Sequence, residues 1–120
     1  MGAEVKTLTD MWSYRDTTMS QTSDLVGYDV EATDGGIGKI DAATYDVGES
    51  YLVVDTGFWI FGKKRTLPAG VVDRIDHDDR KLYVNLTKDQ IRNAPDYEAG
   101  LERDEIYRKG VGEYYNPFYR

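Results

Sequence analysis

The stretch YLVVDTGFWIFGKKRTLP, residues 51–68, decides the fold. Tyr51 to Thr56 runs apolar on both faces, which predicts a central strand covered on both sides. Gly57 breaks that strand, and Phe58, Trp59, Ile60 and Phe61 crowd four large side chains into a hairpin tip closed by Gly62. Arg65 to Leu67 returns as the partner strand, and Pro68, lacking an N–H, blocks further ladder pairing.

Upstream, Leu25 to Val30 reads as a strand, Thr33-Asp34-Gly35-Gly36 as a turn with Asp34-Gly35 the hairpin dipeptide, and Gly38 to Tyr45 as the return strand. Asp46-Val47-Gly48-Glu49 then turns the chain into Tyr51. Downstream, Val71 to Asp76 and Leu82 to Leu86 form a hairpin across His77-Asp78-Asp79-Arg80. Leu82, Val84 and Leu86 alternate with Tyr83 and Asn85, giving one buried and one wet face. Thr87 with Gln90 makes a capping box that opens a short helix, and Asn93-Ala94-Pro95 ends it. About six strands and one helix predict a mainly β fold, a closed or nearly closed small barrel whose interior is filled by side chains.

Taken together, Gly27, Asp34-Gly35, Gly38-Lys39-Ile40-Asp41, the strand from Tyr51 to Gly57, Gly62-Lys63-Lys64, Leu67-Pro68-Ala69 and Thr87 through Pro95 resemble the PRC-barrel domain over residues 24–97. The resemblance implies a small β-barrel used as an adaptor, with no defined reaction. That family includes the cytoplasmic part of the photosynthetic reaction-centre H subunit, and it is similar to the C-terminal domain of a small-subunit ribosome maturation factor. This chain is most similar to the free-standing bacterial members.

Residues 1–23 follow neither structural period and read as a flexible N-terminal arm, whose Trp12 could dock on the barrel or on a second subunit. Residues 98–120 form a Tyr-rich C-terminal extension like that of some stand-alone members. Here Asp104 to Arg108 and Glu105 to Lys109 are i,i+4 pairs in the helix-supporting orientation. Tyr107, Val111, Tyr114 or Tyr115, and Phe118 recur near helical spacing, while Gly110 and Gly112 weaken the middle, so helix is expected only at the start.

At 120 residues the chain is one domain's length, and without cysteine it has no disulfide, thiolate nucleophile or cysteine-ligated metal. A net charge of −7 opposes a phosphate backbone, so nucleic acid is a disfavoured partner. No apolar run approaches the roughly 20 residues of a membrane helix, and the opening Met1-Gly2-Ala3-Glu4 has no signal-peptide core. A cytoplasmic location is expected.

Few residues suggest chemistry. Gly35-Gly36-Ile37-Gly38-Lys39 has the look of a phosphate loop, but Ile40 replaces the metal-binding Ser or Thr and a β-rich run follows, so a hairpin is the better reading. Asp76-His77-Asp78-Asp79 gathers the only histidine among carboxylates, a weak metal candidate against the reading of a solvated turn. Lys63-Lys64-Arg65 reads as a solvated rim. No catalytic triad or cofactor motif is present, and neither enzyme activity nor a cofactor is expected.

The sharpest signal is Phe58, Trp59, Ile60 and Phe61, because a hairpin tip cannot bury four large apolar side chains in its own core. With Trp12, Tyr107, Tyr114, Tyr115 and Phe118 they make up the candidate interaction residues. The expected function is a non-catalytic adaptor or protein-interaction module, a homodimer with Trp59 as anchor, with an unidentified protein partner as the other possibility. The alternatives are a small-ligand or metal-binding protein using the turn around His77, or an accessory factor in RNA processing or ribosome assembly.

Overall fold

A computed structural model of the chain describes residues 11–14, 25–44, 50–57, 64–98, 100–101 and 104–118. Its elements in order are β1 (Asp29–Ala32), β2 (Gly35–Ala43), β3 (Tyr51–Asp55), β4 (Lys64–Pro68), β5 (Val72–Asp76), β6 (Lys81–Val84), α1 (Lys88–Arg92) and α2 (Glu105–Tyr115). The fold is mainly β, as the alternation and turn spacing predict.

The six strands make one mixed sheet in the order β4-β3-β2-β1-β6-β5. Neighbours pair antiparallel except β1 and β6, which run parallel. Tyr51, Leu52, Val53 and Val54 are all buried, so β3 is covered on both faces. On β6, Leu82 and Val84 are buried between half-buried neighbours, the expected alternation, and Leu86 beyond it is buried too.

Of the closed or nearly closed barrel expected, the structure has the second: among the described ladders β4 and β5 remain edges, so the sheet is not closed. Yet these two edge strands are consecutive in the chain, joined by a single buried 3₁₀ turn at Ala69–Val71. The sheet is therefore rolled until its edges stand one turn apart. Backbone bonds from Ala69 N to Ser50 O (3.1 Å) and from Asn85 N to Val71 O (3.2 Å) stitch that turn to both sides. Register shifts between Val30 and Glu31, Ile40 and Ala42, and Val72 and Arg74 mark the bulges that bend the strands far enough to roll. Pro68 ends β4 on an edge, where a missing N–H costs no ladder bond.

Two glycines make the first hairpin possible. Ala32 pairs Gly35, so Thr33-Asp34 is the two-residue turn and the positive φ falls on Gly35 (137°), one position later than the dipeptide rule suggests. Gly38 has φ 147°, and a Cβ there would stand 2.1 Å from the carbonyl oxygen of Asp55. Strand β3 thus passes where only hydrogen fits.

The capping box forms as read: Gln90 N donates to Thr87 Oγ1 (3.2 Å) and Thr87 N donates to Gln90 Oε1 (2.9 Å). Asp34 Oδ1 accepts from Lys88 N (2.9 Å), which ties the first hairpin to the same helix start.

The reading of Lys63-Lys64-Arg65 as a solvated rim is overturned at Arg65, which is 4% exposed. Its guanidinium donates from Nε to Ile91 O (3.1 Å), from Nη2 to Arg92 O (2.9 Å), and from Nη1 to Lys64 O (3.1 Å) and Asp96 Oδ1 (2.8 Å). A helix end has carbonyls without intrahelical partners, and the planar fork of arginine satisfies two of them at once. Lys64 does face solvent, pairing with Asp41 (2.8 Å), a hydrogen bond and charge that raise its pKa. Lys63 lies outside the described residues.

Candidate interaction surface

Helix α2 is longer than its glycines predict. Asp104 caps it, Oδ1 accepting from Tyr107 N (3.0 Å), and the helix runs unbroken through Gly110 and Gly112 to Tyr115 before a 3₁₀ turn at Asn116–Phe118. The reason is packing. The indole of Trp12 and the sulfur of Met11 cover the helix at Gly112, where a Cβ would meet them at ordinary contact distance, 3.5 Å from Trp12 Nε1 and 3.9 Å from Met11 Sδ. Isolated glycines cost helix stability, but tertiary burial of one face outweighs that cost.

The i,i+4 pairs expected on this helix are not made. Asp104 is committed to the cap, and Arg108 lies over Trp12, its guanidinium 4.2 Å from the ring centre and 5.8 Å from that of Tyr51. Glu105 and Lys109 stand one turn apart on the outer face with no ion pair to another described residue.

The described aromatic residues of the two terminal segments pack within this chain. Met11 and Trp12 are buried, Trp12 O accepts from Ser50 N (2.7 Å), and Tyr14 OH donates to Thr44 O (3.0 Å). Tyr107 OH meets Thr66 Oγ1 (2.9 Å) and donates to Asp96 O (3.3 Å). Tyr114 OH donates to Gln90 O, and its ring meets Tyr115 and Phe118 edge-on at 5.0 and 5.6 Å. Tyr115 is fully buried against the sheet; its hydroxyl has no hydrogen-bond partner among the described residues, and burial pushes its pKa far above the ordinary value of 10.0. Tyr114 shifts upward for the same reason, though Arg65 opposes it.

What the outer face of α2 leaves uncovered is one aliphatic side chain. Ile106 is 84% exposed and borders an open groove of about 720 Å³ whose walls include Trp12, Arg108, Lys109, Gly112 and Glu113. Sequence reasoning missed Ile106 because the stripe of Tyr107, Val111 and Tyr115 claimed the helix's apolar face. A signal existed: Ile106 lies outside that stripe, among charged residues.

Phe58, Trp59, Ile60 and Phe61 lie outside the described residues. Their attachment points are described, since the β3–β4 ladder runs out at the Asp55–Lys64 pair.

The turn around His77 is laid out as a turn. Asp76 Oδ1 accepts from Asp79 N (3.0 Å), and Arg80 closes the reversal at φ 55°. His77, Asp78 and Asp79 are exposed, and His77 Nδ1 shares a hydrogen bond with Tyr28 OH (2.9 Å). Among the described residues, no three His, Asp or Glu side chains converge as a cation site. Lys39, in the glycine-rich run, pairs with Asp29 (2.6 Å) on the strand surface. No helix of the described residues is long and apolar enough to cross a membrane.

No protein-family model matches the chain. Among solved structures it is similar to that of a protein assigned as a 16S ribosomal RNA processing protein, RimM, from Pseudomonas aeruginosa, at 23% identity and a TM-score of 0.46. The match covers 54% of this chain and 42% of that one, so the chain spans less than half the length of the protein it matches.

Proposed function

We propose that this chain is a non-catalytic interaction module of the PRC-barrel type that works by self-association. The observation that carries the reading is the face of α2, where Ile106 stands 84% exposed beside a groove walled by Trp12. An isolated exposed aliphatic is ordinary, but one beside an open apolar-walled groove on a well-tied helix is a contact surface in search of a partner. The helix is rigidly seated through Tyr107, Tyr114 and Tyr115, so the surface is preorganised and little ordering entropy opposes association.

The run Phe58 to Phe61 supports the same reading from sequence: four consecutive large apolar residues are the composition of a contact segment. The net charge of −7 weighs against the RNA-contacting alternative. Catalysis draws no support from the His77 turn, where the Asp76 carboxylate serves the reversal itself and no three such groups of the described residues converge.

Light scattering on the eluting wild-type protein, over a concentration series into the high micromolar range, tests the reading. A mass moving from one chain to two is expected. A constant 13.7 kDa would refute it.

A further inference from the structure

The α2 surface carries an order of charges that fits its own inverse. Along the exposed side of the helix stand Glu105, Ile106 and Lys109, and Glu105 and Lys109 are separated by one turn, about 6 Å of rise. Two copies of a helix related by a two-fold axis perpendicular to it run antiparallel, and the second copy then presents the same charges in reverse order. A two-fold passing beside the level of residue 107 brings each Lys109 opposite the second copy's Glu105.

Ile106 lies one residue from that level, exposed beside the groove that Trp12 walls. The same axis therefore sets the two Ile106 side chains against one another. Both carboxylate–ammonium contacts and the aliphatic contact arise from a single operation, which is the property of an isologous interface.

From this fit we infer that α2 is the homodimer interface of this protein: a second copy of the chain docks antiparallel on α2, with Ile106 against Ile106 and two reciprocal Glu105–Lys109 pairs. This rests on the reading of the chain as self-associating, and it places the contact on α2 and not on the hairpin residues Phe58 to Phe61 favoured by the sequence. Three features of the helix agree with the assignment. Glu105 and Lys109 are unspent by ion pairs to other described residues, Ile106 has no cover, and Asp104 and Arg108, which could compete for the two charges, are held by the cap and by Trp12.

The test is a charge-swap cycle on the full chain, with dimer dissociation constants from sedimentation equilibrium and thermal melts as a control for folding. Ile106→Asp should weaken the dimer roughly a hundredfold, since it opposes two new carboxylates at the centre of the contact. Glu105→Lys and Lys109→Glu alone should each weaken it roughly tenfold by setting like charges opposite one another. Together they should return the constant to within about threefold of wild type, because each pair regains opposite charges, and this recovery is the result a merely structural role would not produce. All four variants alter exposed side chains at three positions, so the melts should stay close to wild type.

A wild-type dimer whose constant is untouched by these variants, while Trp59→Ala dissociates it, would overturn the α2 interface and leave self-association standing. A double variant as weak as the single ones would also overturn the reciprocal pairing. A wild type that stays monomeric at high micromolar concentration would overturn both readings together.

Discussion

Gly38→Ala is the sharpest probe of how tightly the rolled sheet is built. The new Cβ would stand 2.1 Å from Asp55 O, 2.9 Å from Asp55 C and 3.0 Å from Thr56 Cα, all backbone atoms. An unstrained contact needs roughly 3.5 Å, so the end of β3 would have to retreat by more than about 1 Å. Overpacking of this kind costs about 1–3 kcal/mol, and a side chain held near φ 147° costs about 1–3 kcal/mol more. The sum, about 4 kcal/mol, corresponds to roughly 15 °C in Tm for a domain of this size. Gly57 is the internal control: it also has positive φ (59°), but nothing lies within 4 Å of its Cβ position. Gly57→Ala should therefore show the backbone cost alone, about 1–2 kcal/mol. Thermal unfolding followed by circular dichroism on both variants separates the two contributions. Equal losses would mean that the approach of Asp55 to Gly38 yields freely, and the argument from close packing would fail.

Two further substitutions probe the buried polar groups. Tyr115→Phe removes a buried hydroxyl without a hydrogen-bond partner among the described residues, so urea denaturation at neutral pH should find the variant as stable as wild type or about 1 kcal/mol more so. The folded-state pKa of Tyr115 is raised, so the folded chain holds this proton more tightly than the unfolded one; the contribution of Tyr115 to stability should be level below pH 10.0 and fall as pH rises beyond it. The Phe variant should lose less over that alkaline window, and an identical fall would count against the buried phenol. Arg65→Met should cost about 3 kcal/mol by leaving the Arg92 carbonyl without the Arg65 donor, the Ile91 carbonyl with Ala94 N in place of two donors, and Asp96 without its ion pair, and Arg65→Lys should recover less than half of it, since one ammonium cannot span both carbonyls and Asp96. A lysine variant of wild-type stability would contradict the fork.

Local features of this fold were legible where the physics is local. The apolar run from Tyr51 marked the doubly covered strand, Leu82 and Val84 marked a one-sided one, and Thr87 with Gln90 marked a helix start whose two reciprocal bonds are present. What escaped depends on neighbours distant in sequence. Arg65 reads as surface beside two lysines, and only the free carbonyls of a helix end more than two dozen residues later make burying it favourable. Gly112 reads as a helix breaker until Trp12, from the other end of the chain, is placed on it. The roll of the sheet depends on a parallel β1–β6 pairing and three bulges, none of which leaves a periodic mark. Ile106 was legible only by subtraction: once α2's inner stripe is assigned to the core, it is the apolar residue left over.

Self-association through a preorganised surface is the central claim, and sedimentation equilibrium of the unmodified chain tests it most directly. The account predicts a reversible equilibrium between one and two chains, with the dimer gaining as concentration rises and with no larger species, because a two-fold contact uses each surface once. A single species of 13.7 kDa at every concentration up to the high micromolar range would contradict it.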